Sequence, residues 1–158
     1  MKSTFANKII LLLLLVFASS VIVAQTKEIV FFSGTLKQAQ KLAKKQKKLI
    51  FMDAYTTWCG PCKMLKNQTF KNDDVANYFN ENFINLAVDM EKGEGPVLSL
   101  AYNVRAYPTL LFINSTGAQV HMGMGFKRPD ELVSLGKEAK TMKPVKPAKK
   151  PKKTTKAN

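Results

Sequence analysis

Cys59 and Cys62 are the residues whose type and spacing most directly suggest chemistry. They are the only cysteines in 158 residues, and Gly60 and Pro61 separate them. Proline suits the first turn of a helix, where its missing N–H is not needed, and glycine lets another backbone approach closely. A helix N-terminus stabilises a thiolate through its unpaired N–H groups and partial positive charge. Because the thiolate is the attacking form of cysteine, a cysteine pair at a helix start favours redox chemistry.

Two other uses of a cysteine pair are less consistent with this sequence. Structural zinc sites usually need four ligands, and the chain offers no second cysteine pair and a single histidine, His121. His121 is therefore read as a strand-surface or hydrogen-bonded residue. A structural disulfide across so short a loop would constrain the unfolded chain little. We therefore expect a redox-active dithiol, with no metal and no other cofactor.

The cysteines follow an apolar segment that predicts a buried strand, residues 48–55, and a helix is predicted over 59–70. Thr35 and Asp73 are the expected N-caps of two further helices. Strands alternating with helices indicate an α/β protein with a central sheet covered on both faces, and a closing hairpin makes that sheet mixed. The other predicted strands are 29–32, 83–89, 109–113 and 118–122, the last broken by Gly123 and Gly125, and the other helices are 35–46, 73–79, 97–102 and 129–139.

Residues 1–24 have the layout of a secretory signal peptide. Lys2 and Lys8 precede the apolar run Ile9–Ala18, and small residues occur before Ala24, where we expect cleavage, with a cut near Ser20 as the second choice. The alternative is an uncleaved membrane anchor, but the apolar stretch is shorter than the roughly 20 residues of a spanning helix. The layout indicates export, and we expect a bacterial periplasmic protein.

Residues 140–158 have the composition of a disordered tail. They contain eight lysines, three prolines and no acidic residue. The tail holds eight of the 25 basic residues and the leader two, which leaves 15 basic and 11 acidic residues for the domain, 25–139. The tail either solubilises the chain, which we favour, or contacts an anionic surface. Because no aromatic residues interleave with the lysines, no nucleic-acid partner is expected.

The segment from Trp58 to Lys63 resembles the active site of the thioredoxin superfamily. Asp53, six residues before Cys59, matches a buried acid of that family, and Tyr107-Pro108 resembles its segment with a cis-proline. The similarity covers about residues 28–139 and implies a thioredoxin fold. The leader and the sequence from Phe51 to Phe70 resemble those of exported thioredoxin-like proteins and of the periplasmic module of membrane disulfide interchange proteins.

This resemblance implies roles for the reacting groups. Cys59 would be the exposed attacking thiolate, and Cys62 the thiol that resolves the mixed disulfide. Asp53 would accept the proton of Cys62, with a pKa raised by burial, unless it is a strand-end acid facing solvent.

The resemblance also implies a substrate groove. A cis-Pro108 would leave the main chain of Tyr107 free to pair with an extended substrate. Trp58, Gly60 and Pro61 would contact the substrate beside it. Tyr107, Thr56-Thr57 and the loop 91–95 depart from the residues usual in cytosolic thioredoxins, so the choice of partner does not carry over.

The resemblance implies an exported monomeric oxidoreductase that reduces disulfides in protein substrates. The Gly-Pro dipeptide between the cysteines is typical of the reducing members of the family. A reductase in an oxidising compartment needs an electron donor, which we expect to be a membrane protein. Two alternatives remain open: a disulfide oxidase or isomerase, and a redox-inert module that binds client peptides.

Overall fold

The central sheet of the molecule has four strands and is mixed, as expected. A computed structural model describes residues 28–143, and within them the strand order is β2-β1-β3-β4, with β1 parallel to β2 and antiparallel to β3, and β3 antiparallel to β4. The strands are β1 (Leu49–Tyr55), β2 (Phe83–Asp89), β3 (Thr109–Ile113) and β4 (Gln119–Met124). The helices are α1 (Leu36–Gln46), α2 (Gly60–Asn67), α3 (Asp73–Asn82), α4 (Gly95–Ala101) and α5 (Pro129–Thr141).

Helices cover both faces of the sheet, which confirms the predicted architecture. On one face, Leu36 and Ala39 of α1 pack with Met52 of β1. On the other face, Leu65, Phe79 and Leu132 come from α2, α3 and α5 and pack with Phe51 and Phe112 of the sheet. Each large apolar side chain that is fully buried there stabilises the fold by about 1.5–3 kcal/mol relative to exposure. The core therefore holds β1, and the chain that leaves it, in a fixed position.

The helix caps agree with the sequence at one site and differ at another. Thr35 caps α1 through a capping box with Gln38, as predicted. The cap of α3 is Asn72 rather than Asp73, because the Asn72 side chain accepts the N–H groups of Asp74 and Val75 while its own backbone is extended. Asp73 is instead the first helical residue, where a carboxylate interacts favourably with the helix dipole.

The prediction of a strand over residues 29–32 is wrong. The segment runs beside β2 but forms no ladder, because asparagine side chains occupy the main-chain groups that a ladder would use. The amide of Asn85 donates to the carbonyl of Val30, and the side chain of Asn80 accepts the Val30 N–H. One main-chain bond to β2 remains, from the Phe32 N–H to the Asn85 carbonyl at 2.7 Å.

Several boundaries also differ from the prediction. α2 ends at Asn67 and is followed by a 3-10 turn, Thr69–Lys71, instead of continuing to Phe70. β4 continues through Gly123, where a Cβ would lie 2.7 Å from the side chain of Leu135, so the glycine allows α5 to approach the strand. α5 includes Lys140 and Thr141, which the sequence assigned to the tail.

The two ends predicted from sequence lie largely outside the described residues. The leader, 1–24, and the part of the tail from 144 onward belong to the ranges that are not described. Between residues 28 and 143, no helix combines the length and apolarity needed to cross a membrane.

Candidate active site

Cys59 and Cys62 lie at the start of α2, just beyond the end of the central strand. They form a disulfide with a Cα–Cα distance of 5.3 Å. Cys59 is the N-cap, and its Sγ accepts the N–H of Cys62 at 3.2 Å, while Pro61 occupies the first turn as predicted. The Cys59 N–H donates to the carbonyl of Thr56 at 3.3 Å, which fixes the turn between strand and helix.

The expectation that Cys59 is the exposed member of the pair is wrong for this disulfide form. Cys59 is 3% exposed and Cys62 is 5% exposed, so burial does not separate them. Their difference is in hydrogen bonding. The sulfur of Cys59 lies at the helix N-terminus and accepts a main-chain N–H, and such a position favours the thiolate form.

Asp53 is buried in the middle of β1. Only 5% of the residue is exposed, which rules out the alternative of an acid facing solvent. Its Oδ1 has no hydrogen-bond partner among the described residues. Burial raises the pKa of this carboxyl from 3.8 to about 7, because the charged form loses its solvation. Asp53 can therefore gain or lose a proton near neutral pH.

A cavity of about 380 Å³ brings Asp53 and Cys62 together. The residues that line it come from β1, from the chain that follows β1, from α2 and from β2, together with two phenylalanines of the core. They include Thr56, whose buried hydroxyl has no partner in the described part of the chain. The rest of the lining is Phe31, Tyr55, Thr57, Lys63, Lys66, Phe70 and Ala87. The cavity offers room for water between the carboxyl and the second cysteine.

Trp58 lies at the mouth of the site and is held on two sides. It is 63% exposed, and its indole N–H donates to the Glu91 carboxylate at 2.9 Å. Its ring meets the ring of Tyr107 edge-on, with 5.9 Å between centroids. Glu91 was not among the residues identified from sequence. Its position two residues after β2, at the same sheet edge as the cysteines, was the available signal.

The loop that carries Glu91 is tightly folded. The carboxylate of Asp89 accepts the Glu91 N–H at 3.0 Å, and its other oxygen pairs with Lys92 at 3.7 Å. A Cβ on Gly95 would lie 2.0 Å from the Asp89 carbonyl, so only glycine allows the loop to close this way. The loop thus presents Glu91 to Trp58 from a fixed backbone.

The peptide bond between Tyr107 and Pro108 is cis, which confirms the sequence prediction. The carbonyl of Pro108 accepts the Gly125 N–H at 2.8 Å, which ties this segment to the end of β4. Within residues 28–143, the main chain of Tyr107 has no hydrogen-bond partner. A Cβ on Gly60 would meet nothing within 4 Å, so this side of the cysteine turn is open to another molecule.

His121 lies away from the cysteine cavity. It stacks on Phe112, with 6.2 Å between ring centroids, and its Nε2 lies 3.4 Å from a carboxylate oxygen of Glu138. Neither neighbour lines the cavity. Over the described part of the chain, no three His, Cys, Asp or Glu side chains are placed to hold a metal ion.

Residues 36–140 match the family model of the thioredoxin-like domain. A solved structure of a candidate disulphide isomerase from Bacteroides thetaiotaomicron is 47% identical, with a TM-score of 0.66, over 75% of this chain and 98% of that one. The chain belongs to the thioredoxin-like disulfide oxidoreductase family. Asp53 is buried and Pro108 is cis, as the resemblance implied, whereas Cys59 is not exposed.

Two curated relatives match over shorter stretches. Thioredoxin-T of Drosophila melanogaster is 34% identical over 47% of this chain and 44% of its own length. The thiol:disulfide interchange protein DsbD of Vibrio vulnificus is 33% identical over 66% of this chain and 18% of its own length. The thioredoxin-like chain thus matches less than half of either relative.

Proposed function

We propose that this thioredoxin-like protein is an exported reductase of protein disulfides. In the reduced enzyme, the Cys59 thiolate attacks a substrate disulfide and forms a mixed disulfide, and one substrate sulfur leaves as a thiol after protonation. Cys62 then attacks Cys59 Sγ, which releases the second substrate thiol and leaves the enzyme disulfide. Two electrons and two protons pass from enzyme to substrate. The placement of Asp53 beside Cys62 in one cavity carries this proposal.

Cys59 is the better nucleophile on physical grounds. As the N-cap of α2 its sulfur accepts a main-chain N–H and lies at the positive end of the helix dipole. Both interactions favour the thiolate form over the thiol, and thiol–disulfide exchange proceeds through the thiolate.

Asp53 suits the second step, in which Cys62 must lose its proton. A base is most effective when its pKa lies near the operating pH, and burial raises the pKa of Asp53 to about 7. The cavity gives the proton a route between the two groups through water. Asp53 therefore takes the Cys62 proton as that thiol attacks the mixed disulfide.

A substrate strand is held at the unpaired main chain of Tyr107. Main-chain hydrogen bonds to an extended segment give affinity without demanding a particular sequence. The open face at Gly60 and Pro61 and the exposed ring of Trp58 border this position. A disulfide in the bound segment would then lie against Cys59.

The reduction potential of the cysteine pair tests the direction of the reaction. We would titrate the purified chain against dithiothreitol and glutathione buffers. A reductase requires a value near that of thioredoxin, about −270 mV, whereas a value near about −120 mV would make disulfide formation the function. A pair that does not cycle would leave only the binding-module alternative.

An isomerase is the second candidate, supported by the likeness to the Bacteroides protein of that description. Isomerisation needs attack and release by Cys59 but no net electron transfer. Recovery of activity from a scrambled-disulfide substrate by a Cys62→Ser variant would favour isomerisation. A strict requirement for both cysteines and a reductant would favour reduction.

The leader pattern supports export, and we propose that the mature chain is a monomer in the bacterial periplasm. Its electrons come from a membrane protein, a proposal supported by the similarity to part of DsbD. Cell fractionation and the mass of the mature N-terminus test export, and light scattering tests the oligomeric state. Disulfide capture tests the donor. Each single variant, Cys59→Ser and Cys62→Ser, is exposed to membrane proteins, and any mixed disulfide that forms is identified.

A further inference from the structure

Basic side chains gather at one end of the folded domain. Lys44, Lys45 and Lys47 are exposed at the end of α1, and Lys48 directly precedes β1. Lys140 arrives from the end of α5, and its ammonium group donates to Asn82. We call these five lysines the basic end. Three of them, Lys47, Lys48 and Lys140, line one surface groove, so elements distant in sequence place their charges together.

These charges are weakly compensated. Within residues 28–143, no acidic side chain forms an ion pair with Lys44, Lys45 or Lys47. Glu81 is the one acidic residue among the described residues of the groove. The positive potential at this end therefore extends into solvent to about the Debye length, about 8 Å at physiological ionic strength.

The basic end is opposite the cysteine pair. Lys48 lies before β1 and Cys59 lies after it, and a seven-residue strand spans about 20 Å. Acidic residues lie at the cysteine end, where Glu91 meets Trp58. Glu94 is there too, and its carboxylate accepts the first N–H of α1, from Leu36. The basic end and the cysteine pair are thus separated by about the length of β1.

We propose that the basic end docks on an anionic lipid surface. Lysines near such a surface are attracted by its negative potential. Met142 lines the same groove and is 46% exposed, so an apolar side chain lies among the ammonium groups, as suits a lipid interface. Six further lysines and no acid follow Lys143 in the sequence. No arginine or aromatic ring lines this groove in the described residues, which is a poor match to nucleic acid.

Docking in this way would orient the domain. The basic end would face the lipid, and the cysteine pair would face away from it, with Trp58 and Tyr107 open to protein substrates. The surface is distinct from the groove around the cysteines, so it does not compete with substrate for the same residues.

Vesicle sedimentation tests the proposal with the full chain. The vesicles contain phosphatidylcholine alone, as the baseline, or equal parts of phosphatidylcholine and phosphatidylglycerol. The test variant combines Lys44→Gln, Lys45→Gln and Lys47→Gln. The control combines Lys71→Gln, Lys127→Gln and Lys137→Gln, which removes the same charge elsewhere on the domain. Circular dichroism and the rate of reduction of a soluble disulfide verify that both variants fold.

We expect the wild type to bind the anionic vesicles above the baseline and to dissociate at high salt. The test variant should lose about 100-fold in affinity, since each of the three lysines near an anionic bilayer contributes about 1 kcal/mol and about 1.4 kcal/mol corresponds to tenfold. The control should lose clearly less. Equal losses in the two variants, absence of anionic binding by the wild type, or tighter binding to duplex DNA at equal phosphate concentration would each overturn the proposal.

Discussion

The indole N–H of Trp58 and the carboxylate of Glu91 are joined by a hydrogen bond of 2.9 Å. This bond links the residue before Cys59 to the loop after β2. Trp58 is mostly exposed and would otherwise be free to change rotamer. With Tyr107 on its other side, the ring is held at the mouth of the redox site.

Loss of the Glu91 carboxylate should release Trp58. We expect Glu91→Ala to lower kcat/KM for a protein disulfide by roughly fivefold, since an exposed hydrogen bond of this kind contributes about 1 kcal/mol. Trp58 is the only tryptophan of the chain, so its fluorescence reports the change directly. Glu91→Gln is the matched control, because its carbonyl oxygen can still accept the indole N–H. If the alanine variant kept the emission and kinetics of the wild type, the bond would have no role in holding the ring.

Single cysteine variants should separate the two thiols despite their similar burial. With Cys62→Ser, attack by Cys59 can occur but resolution cannot, so a mixed disulfide with substrate should accumulate. Cys59→Ser should trap none, because Cys62 lacks the helix N-cap position. Non-reducing electrophoresis and mass spectrometry measure the adduct. Equal trapping by the two variants would contradict the assignment of Cys59 as nucleophile.

Asp53 should make stability fall with rising pH. The unfolded carboxyl loses its proton near 3.8 and the folded one near 7, so between these values the folded state binds more protons. The free energy of unfolding therefore decreases across this window, by about 4 kcal/mol in all.

Asp53→Asn removes this dependence because its amide stays neutral. We expect the variant and the wild type to have similar stability below the lower pKa, and the variant to be the more stable above the upper one. Denaturant unfolding of the oxidised proteins across the window measures the difference. A difference that stays constant with pH would show that Asp53 does not titrate as the buried geometry requires.

Asn85 should stabilise the segment that runs beside β2. Its buried amide donates to the carbonyl of Val30 and to the side chain of Asn80. We expect Asn85→Ala to cost about 1–3 kcal/mol, because two hydrogen bonds of the Asn85 side chain are lost. Thermal unfolding measures the loss, and faster hydrogen exchange at Phe32 would locate it. Asn77→Ala, at an exposed position of α3, should change stability little.

The parts of the fold that the sequence predicted well are those with strong local signals. β2 and β3 have the predicted bounds because β2 alternates the apolar residues Ile84, Leu86 and Val88, whereas β3 is a continuous apolar run after Thr109. The Thr35 cap was recognisable because a threonine directly precedes the helical pattern, and its partner in the structure, Gln38, lies one turn away. The cysteine turn, the buried Asp53 and the cis-Pro108 were found through their joint resemblance to one family.

The features that the sequence did not reveal depend on partners far apart in the chain. Residues 29–32 look like a strand, and only the amides of Asn80 and Asn85 prevent the ladder. Glu91 has no motif of its own and acquires its position through Trp58, 33 residues away. The burial of Cys59 likewise depends on the surrounding tertiary structure. The local sequence pattern does not specify contacts between residues so far apart in the chain.

The side chains of Asn80 and Asn85 hydrogen-bond to the main chain of Val30, and we call these two bonds the asparagine clamp. The clamp also affects the tendency of the protein to aggregate. β2 is an edge strand of the sheet, and the unpaired main-chain groups of an exposed edge strand can pair with a strand of another molecule. Here residues 29–32 cover this edge. They are held largely by side-chain hydrogen bonds and do not themselves form a strand with which another molecule could pair. A second molecule would have to displace Val30 and Phe32 before it could pair with β2. The clamp thus protects this side of the sheet against aggregation.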